Sequence, residues 1–389
     1  MPLTPRIRKT INWLVTIASV LLSLEMCTRL FTKVSDSGIV RDELIGARYE
    51  RSLDIVRYNQ ESDKMVPLQT NTQGFNDKEW TTEKPAGVRR VAILGDSFIA
   101  GGELPRNQIM VTRLETRLNN SDGPRCQVMN FGVGGSSTGQ QLVLYRALAS
   151  KYDLDIVVIC FMTESDVYDN SDELASNPIL RCRIGDNGQL EKVRVSEAKQ
   201  YGSRMLNRYS RFYDWQKSVI NGFVKQLRRG IMPLKSQYRV YNSNPGPRYL
   251  RAWKLTEKIL EQFQAETARN EVSLLVVSMP GSNQIYRDQF KQLIEQAGEG
   301  ARMEVDYPDT QLAAICHRLN IPCFSLLPAF RAAAPDRNSQ VISQRLFLKG
   351  TGHFNKKGHE LAAVAISEWF DNSKTLRISG AGEKKVDGK

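Results

Sequence analysis

The 389-residue sequence predicts a three-layer α/β/α sandwich on a parallel sheet, preceded by one N-terminal transmembrane helix. Three observations carry that expectation. Short, almost wholly apolar β-rich runs alternate with helical patterns, and unbroken apolar runs mark strands covered on both faces. The first three of these runs end in polar or glycine-rich loops, at the strand ends where such sheets bind ligands. A long apolar stretch follows a basic N-terminus.

That stretch begins as Ile11–Leu24 (INWLVTIASVLLSL) behind Arg6, Arg8 and Lys9. No small-x-small cleavage site follows, and Glu25 and Met26 stand before Cys27 where a lipobox has small residues. The pattern runs on through Leu30 and Phe31, and 11–31 at about 1.5 Å per residue reaches roughly 30 Å, enough to cross the hydrocarbon. Glu25 and Arg29, four apart, can pair on one helical face. The basic flank puts the N-terminus in the cytoplasm and everything after about residue 35 on the other side of the cytoplasmic membrane, as a periplasmic or extracellular domain. A cleaved signal peptide is the competing reading, and it exports the domain equally.

Five strands are expected: Arg90–Leu94, Gln127–Phe131, Asp155–Phe161, Ser273–Ser278 and, at an edge because of Pro322, Ile321–Leu326. Helical patterns cover Gln108–Leu118, Gly139–Lys151, Leu250–Arg269, Arg287–Ala297, Asp309–Leu319 and Lys356–Phe370. Alternation of this kind gives a parallel sheet between helical layers. The chain then divides into a stub and anchor (1–35), a linker and lead-in (36–88), the main domain (89–372) and a disordered tail (373–389). Residues 171–249 interrupt the alternation as an insert with fifteen Lys/Arg against six Asp/Glu, which is most of the formal net charge of +12. Within it, Asp214–Arg229 reads as an amphipathic helix. Such a helix is most simply a cap on the domain; the sharper reading is a face toward membrane or anionic glycan.

Composition narrows the chemistry. With 41% hydrophobic and 25% charged residues, a full core is available. A net +12 invites an acidic partner, but no nucleic-acid motif accompanies it on a chain that reads as exported, so nucleic acid is not expected. There are six cysteines without a CxxC pair, and only three histidines (His317, His353, His359), so neither metal nor cofactor is expected. Cys316 and Cys323 could pair in an oxidising compartment, although buried free thiols are the plainer reading.

Four loops carry candidate chemistry. Gly95-Asp96-Ser97-Phe98 would lift a serine hydroxyl above the sheet on a tight strand-to-helix turn, with backbone N–H groups beside it for an oxyanion. Asn130–Gln140 is rich in glycine, which allows close approach of a substrate. Thr163–Asn170 follows the longest strand, and Gly350–His359 opens the last helix with His353 in a glycine-rich turn. His317 lies in an ordinary helical pattern, and His359 sits where a side chain caps or packs.

The words NTQGFND (71–77), VAILGDSFIAGGELP (91–105), NFGVGGSSTGQQ (130–141), VYDN (167–170) and GHFNKKGH (352–359), in this order, resemble the SGNH (GDSL-type) hydrolase superfamily, particularly its membrane-anchored bacterial members. The resemblance spans residues 70–370 and implies a flavodoxin-like five-stranded sheet. It also implies Ser97 as nucleophile, His353 as general base, and an oxyanion hole from the N–H groups of Ser97 and Gly135. Two positions depart from the family pattern. Ser165 stands where an asparagine normally completes the oxyanion hole, and a hydroxyl donates only one hydrogen bond. Thr351 and Gly350 stand where an aspartate normally supports the histidine. Asp166 and Glu164 are then the nearest candidate acids, with Thr351 able to orient the ring.

Two functions follow from these residues. One is an extracytoplasmic serine esterase or acyl hydrolase working through an acyl-serine, with O-acetylated glycans or lipid esters as substrates and acyl transfer to a glycan as a variant. The other is a degenerate member that binds or helps assemble an anionic glycan or lipid. Besides the acylated substrate, the membrane through residues 11–31 is the expected partner; the oligomeric state stays open.

Overall fold

The computed structural model describes residues 5–31, 38–42, 45–59, 64–120, 123–175, 181–185, 189–193, 210, 212–213, 215–216, 219–220, 234–349 and 351–373. The chain forms two compact units. One comprises Met1–Ser37, Val56–Tyr58 and Ser196–Met232, and the other comprises the remainder.

In the first unit, helix α1 (Pro5–Phe31) includes 26 residues, Arg6–Phe31, long and apolar enough to cross a membrane, with a mean hydropathy of 1.7 over an 18-residue window. A signal sequence near an N-terminus meets the same criteria of length and apolar composition. Glu25 is not left bare on this apolar helix. It pairs with Arg29 at 2.7 Å and accepts hydrogen bonds from the Ser210 hydroxyl at 2.9 Å and the Phe212 N–H at 3.0 Å. The helix expected over 214–229 lies outside the described residues, except that 215–216 and 219–220 are helical; the expected tail also lies outside from residue 374 onward.

The second unit is built on a five-stranded, all-parallel sheet. Its strands are β1 (Val88–Gly95), β2 (Arg125–Gly132), β3 (Ile156–Met162), β4 (Ser273–Met279) and β5 (Cys323–Ser325). Their spatial order is β5-β4-β3-β1-β2, the flavodoxin-like winding that the resemblance implies. Registers such as Val91↔Val128 and Leu275↔Val158 place all strand ends on one rim. Every residue of β3 is buried, which accounts for its unbroken apolar run. One layer packs Leu94, Val157 and Val276 against Leu142, Ile259 and Phe263. The opposite layer packs Ile93, Val158 and Val277 against Leu114, Phe330 and Ile366.

Helices that bear on the site are α2 (Ser97–Ala100), α3 (Met110–Asn119), α4 (Thr138–Ala147), α5 (Asp166–Asn170), α6 (Pro247–Arg269), α7 (Ser282–Ile285), α8 (Arg287–Ala297), α9 (Tyr307–Arg318), α10 (Leu327–Ala333) and α11 (Lys356–Asn372). The long ones lie within a few residues of the expected spans. The 36–88 segment is more than a linker. Apart from Val56–Tyr58, its described residues from 38 onward belong to the second unit, where Phe75 and Trp80 stack against Phe131 and Tyr152. Arg90, at the head of β1, is 1% exposed, and a buried guanidinium is tolerable only when its donors are taken. They are: Arg90 donates to Gln127 Oε1, to the Thr81 hydroxyl, and to the carbonyls of Thr82, Glu83 and Tyr152. Cys316 and Cys323 are free thiols in contact with one another.

Candidate active site

Ser97 is the first residue of α2, immediately beyond β1. Asp96 caps that short helix by accepting the Phe98 N–H at 2.9 Å, which holds the turn tight and turns the serine side chain outward. Asp96 is buried, and burial pushes its carboxyl up to about 6, against the pull of His353 and the capped N–H. The turn also rests on two asparagines. Asn76 donates to the carbonyls of Ala100 and Gly101, and Asn130 donates to those of Ile99 and Asn76. Gly132 lets β2 touch α2, since a Cβ there would fall 2.2 Å from the Ala100 nitrogen.

The Ser97 hydroxyl lies 2.7 Å from His353 Nε2. His353 is presented by the turn before α11, whose start Asn355 caps by accepting the Gly358 N–H at 3.0 Å. The His353 ring packs edge-on against Phe98 at 5.0 Å, which fixes its plane. On its far side, Nδ1 lies 2.6 Å from Glu103 Oε1. Nδ1 donates to the carboxylate, so Nε2 is the basic nitrogen facing Ser97. Glu103 is on the loop right after α2. Gly101, at φ 59°, ends that helix left-handed and turns the chain back. Asn59 holds the backbone in place by donating to the Glu103 carbonyl at 2.7 Å.

This corrects the expectation about the acid. Glu164, Asp166 and Thr351 do not reach the imidazole, because each is engaged elsewhere. Asp166 accepts the Met162 N–H at 2.7 Å and the Thr138 N–H at 3.0 Å, clamping the ends of β3 and α4 together. Burial, reinforced by Asp96, pushes its carboxyl well above the usual range. Glu164 accepts from the Tyr241 hydroxyl and Asn283 Nδ2, each at 2.7 Å, and burial raises its carboxyl as well. The Thr351 hydroxyl accepts the His353 backbone N–H at 3.3 Å, so it shapes the turn and leaves the ring to Glu103.

The glycine-rich loop lies against the serine, for a Cβ on Gly134 would stand 4.0 Å from Ser97 Cβ. Ser136 anchors this loop by donating to the Gly95 carbonyl at 3.0 Å. Among the described residues, the backbone N–H groups of Ser97 and Gly135 have no protein acceptor, as an oxyanion hole requires. The Ser165 N–H is already donated to the Met162 carbonyl at 3.1 Å, which leaves only its hydroxyl to serve as a third donor. The remaining histidines lie outside this arrangement. His359 is buried, accepts the Met110 N–H at Nδ1, and is driven down to about 3 by burial and by its neighbours His353 and Arg113. His317 is exposed on α9. Among the described residues no group of three His, Cys, Asp or Glu is placed to hold a metal ion.

No protein-family model and no curated protein matches the chain. Solved lipases and esterases do resemble it. A lipase/acylhydrolase from Enterococcus faecalis is 11% identical, with 72% of this chain and 95% of that chain covered and a TM-score of 0.39. An acetyl xylan esterase is 12% identical over 73% of this chain and 100% of its own, with a TM-score of 0.40. A two-domain esterase active on acetylated mannans is 15% identical over 75% of this chain and 51% of its own, with a TM-score of 0.38. Likeness at this level assigns no activity to the chain.

Proposed function

We propose that this chain is a serine ester hydrolase of the SGNH type. The observation that supports it most is the continuous line from Ser97 Oγ through both nitrogens of His353 to Glu103. In this reading Ser97 Oγ attacks the ester carbonyl while His353 Nε2 takes its proton, and Glu103 stabilises the imidazolium. The tetrahedral oxyanion is met by the N–H groups of Ser97 and Gly135, with the Ser165 hydroxyl as a weaker third donor. Collapse expels the alcohol, which receives the proton from His353. Water, activated by the same nitrogen, then cleaves the acyl-Ser97 ester; a sugar hydroxyl in its place makes the reaction an acyl transfer.

The carboxylate on Nδ1 is what a degenerate binding protein would have no reason to retain, so the enzyme reading is preferred. With α1 as a signal anchor, the domain stands outside the cytoplasm, where O-acylated glycans and lipid esters are the substrates. Labelling with a fluorophosphonate probe tests the reading. The wild-type chain is expected to label, and Ser97→Ala and His353→Ala are expected not to. Absence of Ser97-dependent labelling, together with no turnover of an acetyl ester, would overturn it.

A further inference from the structure

A cavity of about 550 Å³ lies between the end of α5 and the start of α6, lined in part by Arg239, Arg248, Arg251, Glu173, Pro245 and Tyr249. Helices that return between parallel strands run against them, so the start of α6 stands on the same rim of the sheet as Ser97. Hydrogen bonds also tie α6 to α5 and to the start of α4 on that rim. Thr256 of α6 accepts from Asn170, whose side chain in turn accepts the Gly139 N–H at the start of α4.

Charge in this cavity is lopsided. Among the described residues Glu173 is the one carboxylate on its wall, and it is taken up by Arg251, which reaches it through Nε at 2.8 Å and through Nη2. Arg239 and Arg248 are exposed and make no salt bridge among the described residues, although Arg251 and, more weakly, the Arg248 charge hold the Glu173 carboxyl below its usual range. The wall behind them is firm. Buried Tyr249 donates its hydroxyl to the Ser236 carbonyl and so ties the 236–241 turn that bears Arg239 to α6.

We propose that this cavity binds the carboxylate groups of an acidic glycan, held by Arg239 and Arg248, as the strand presented to Ser97. The substrate class rests on the esterase reading; the binding does not. Guanidinium groups take carboxylates through paired, charge-assisted hydrogen bonds. A walled hollow of this size receives a discrete group bearing its own charge, whereas a bilayer surface is flat. Arg251 stays neutralised by Glu173, so two guanidinium groups remain for the ligand.

Binding of an oligogalacturonate to the full chain in detergent, read by calorimetry, tests this. The acidic oligosaccharide is expected to bind at least about 10-fold tighter than a neutral oligogalactose of equal length, and to weaken as salt is raised. Arg239→Gln combined with Arg248→Gln is expected to remove that preference with the melting temperature unchanged. Ser97→Ala is expected to keep it, so loss of the esterase reading would leave the site standing. Equal binding of the two sugars, or a preference that survives the double substitution, would overturn the proposal. So would a double substitution that abolishes binding only to phosphatidylglycerol vesicles, which would give the cavity to lipid headgroups.

Discussion

The loops that leave β1 and β3 both carry carboxylates to the same rim, and they use them in opposite ways. The loop after β3 spends Glu164 and Asp166 on the fold: Asp166 is buried and Glu164 half-buried, and each accepts two hydrogen bonds from the surrounding chain. The loop after β1 leaves the Glu103 side chain 24% exposed and aims it at one ring nitrogen. A carboxylate whose lone pairs are already committed inside the protein holds loops together. One with a single titratable partner beside a nucleophile is free to answer a change of charge during a reaction.

The comparison can be broken at its strongest point first. Ser97→Ala should lower kcat by about 10⁴-fold or more, measured on a soluble acetyl ester, with folding intact. Glu103→Gln should lower kcat by about 10²–10⁴-fold with little change in KM, because the amide cannot balance the imidazolium. Its melting temperature should stay near that of the wild type. Asp166→Asn should do the reverse at its core. It sets an NH₂ group against one of two buried N–H donors and should cost about 1–3 kcal/mol of stability, read from denaturant unfolding. A Glu103→Gln variant with full activity, or an Asp166→Asn variant with unchanged stability, would erase the distinction between the loops.

Smaller effects sharpen it. Ser165→Asn, which offers a longer reach and two donors, should raise kcat, by less than about 10²-fold, if the hydroxyl is a weak third member of the oxyanion hole. The buried histidine supplies a pH test. The pKa of His359 falls from its ordinary 6.5 to about 3, so the neutral ring is the folded form. Its contribution is complete above pH 6.5 and drains away as pH falls toward 3, because the unfolded chain binds the proton first. His359→Gln should flatten that acid limb in unfolding curves taken between these pH values while leaving activity at neutral pH close to wild type.

Most of the sheet was legible because β3 is buried throughout and β1, β2 and β4 are buried over most of their length, and burial on both faces writes an unbroken apolar run into the sequence; β5, half-buried throughout, gave the weakest run. Arg287–Ala297 forms the expected helix residue for residue. Ser97 and His353 were legible because tight turns need particular residues on either side. Glu103 was not, although it stands inside the glycine-rich word that marks the nucleophile. Which acid meets a histidine is decided by where a loop doubles back, and Gly101 turns this one through a left-handed conformation that sequence spacing does not register. Asp166 drew attention by its place in the third loop, and nothing in the sequence distinguishes a carboxylate that two backbone N–H groups will consume from one that stays available. The hub of Asn76 and Asn130 beneath the serine lay inside quoted motifs, but its hydrogen bonds to α2 depend on Gly132 touching that helix.

Six positions separate Ser97 from Glu103, whereas His353 lies 256 and 250 residues from them. Two of the three groups therefore arrive together on one short piece of chain. During folding only one distant encounter has to succeed, and the entropy of closing so large a loop is met once instead of twice. The seating of α11 beside α3 is then the one encounter that sets the histidine between a serine and a glutamate already held close in sequence.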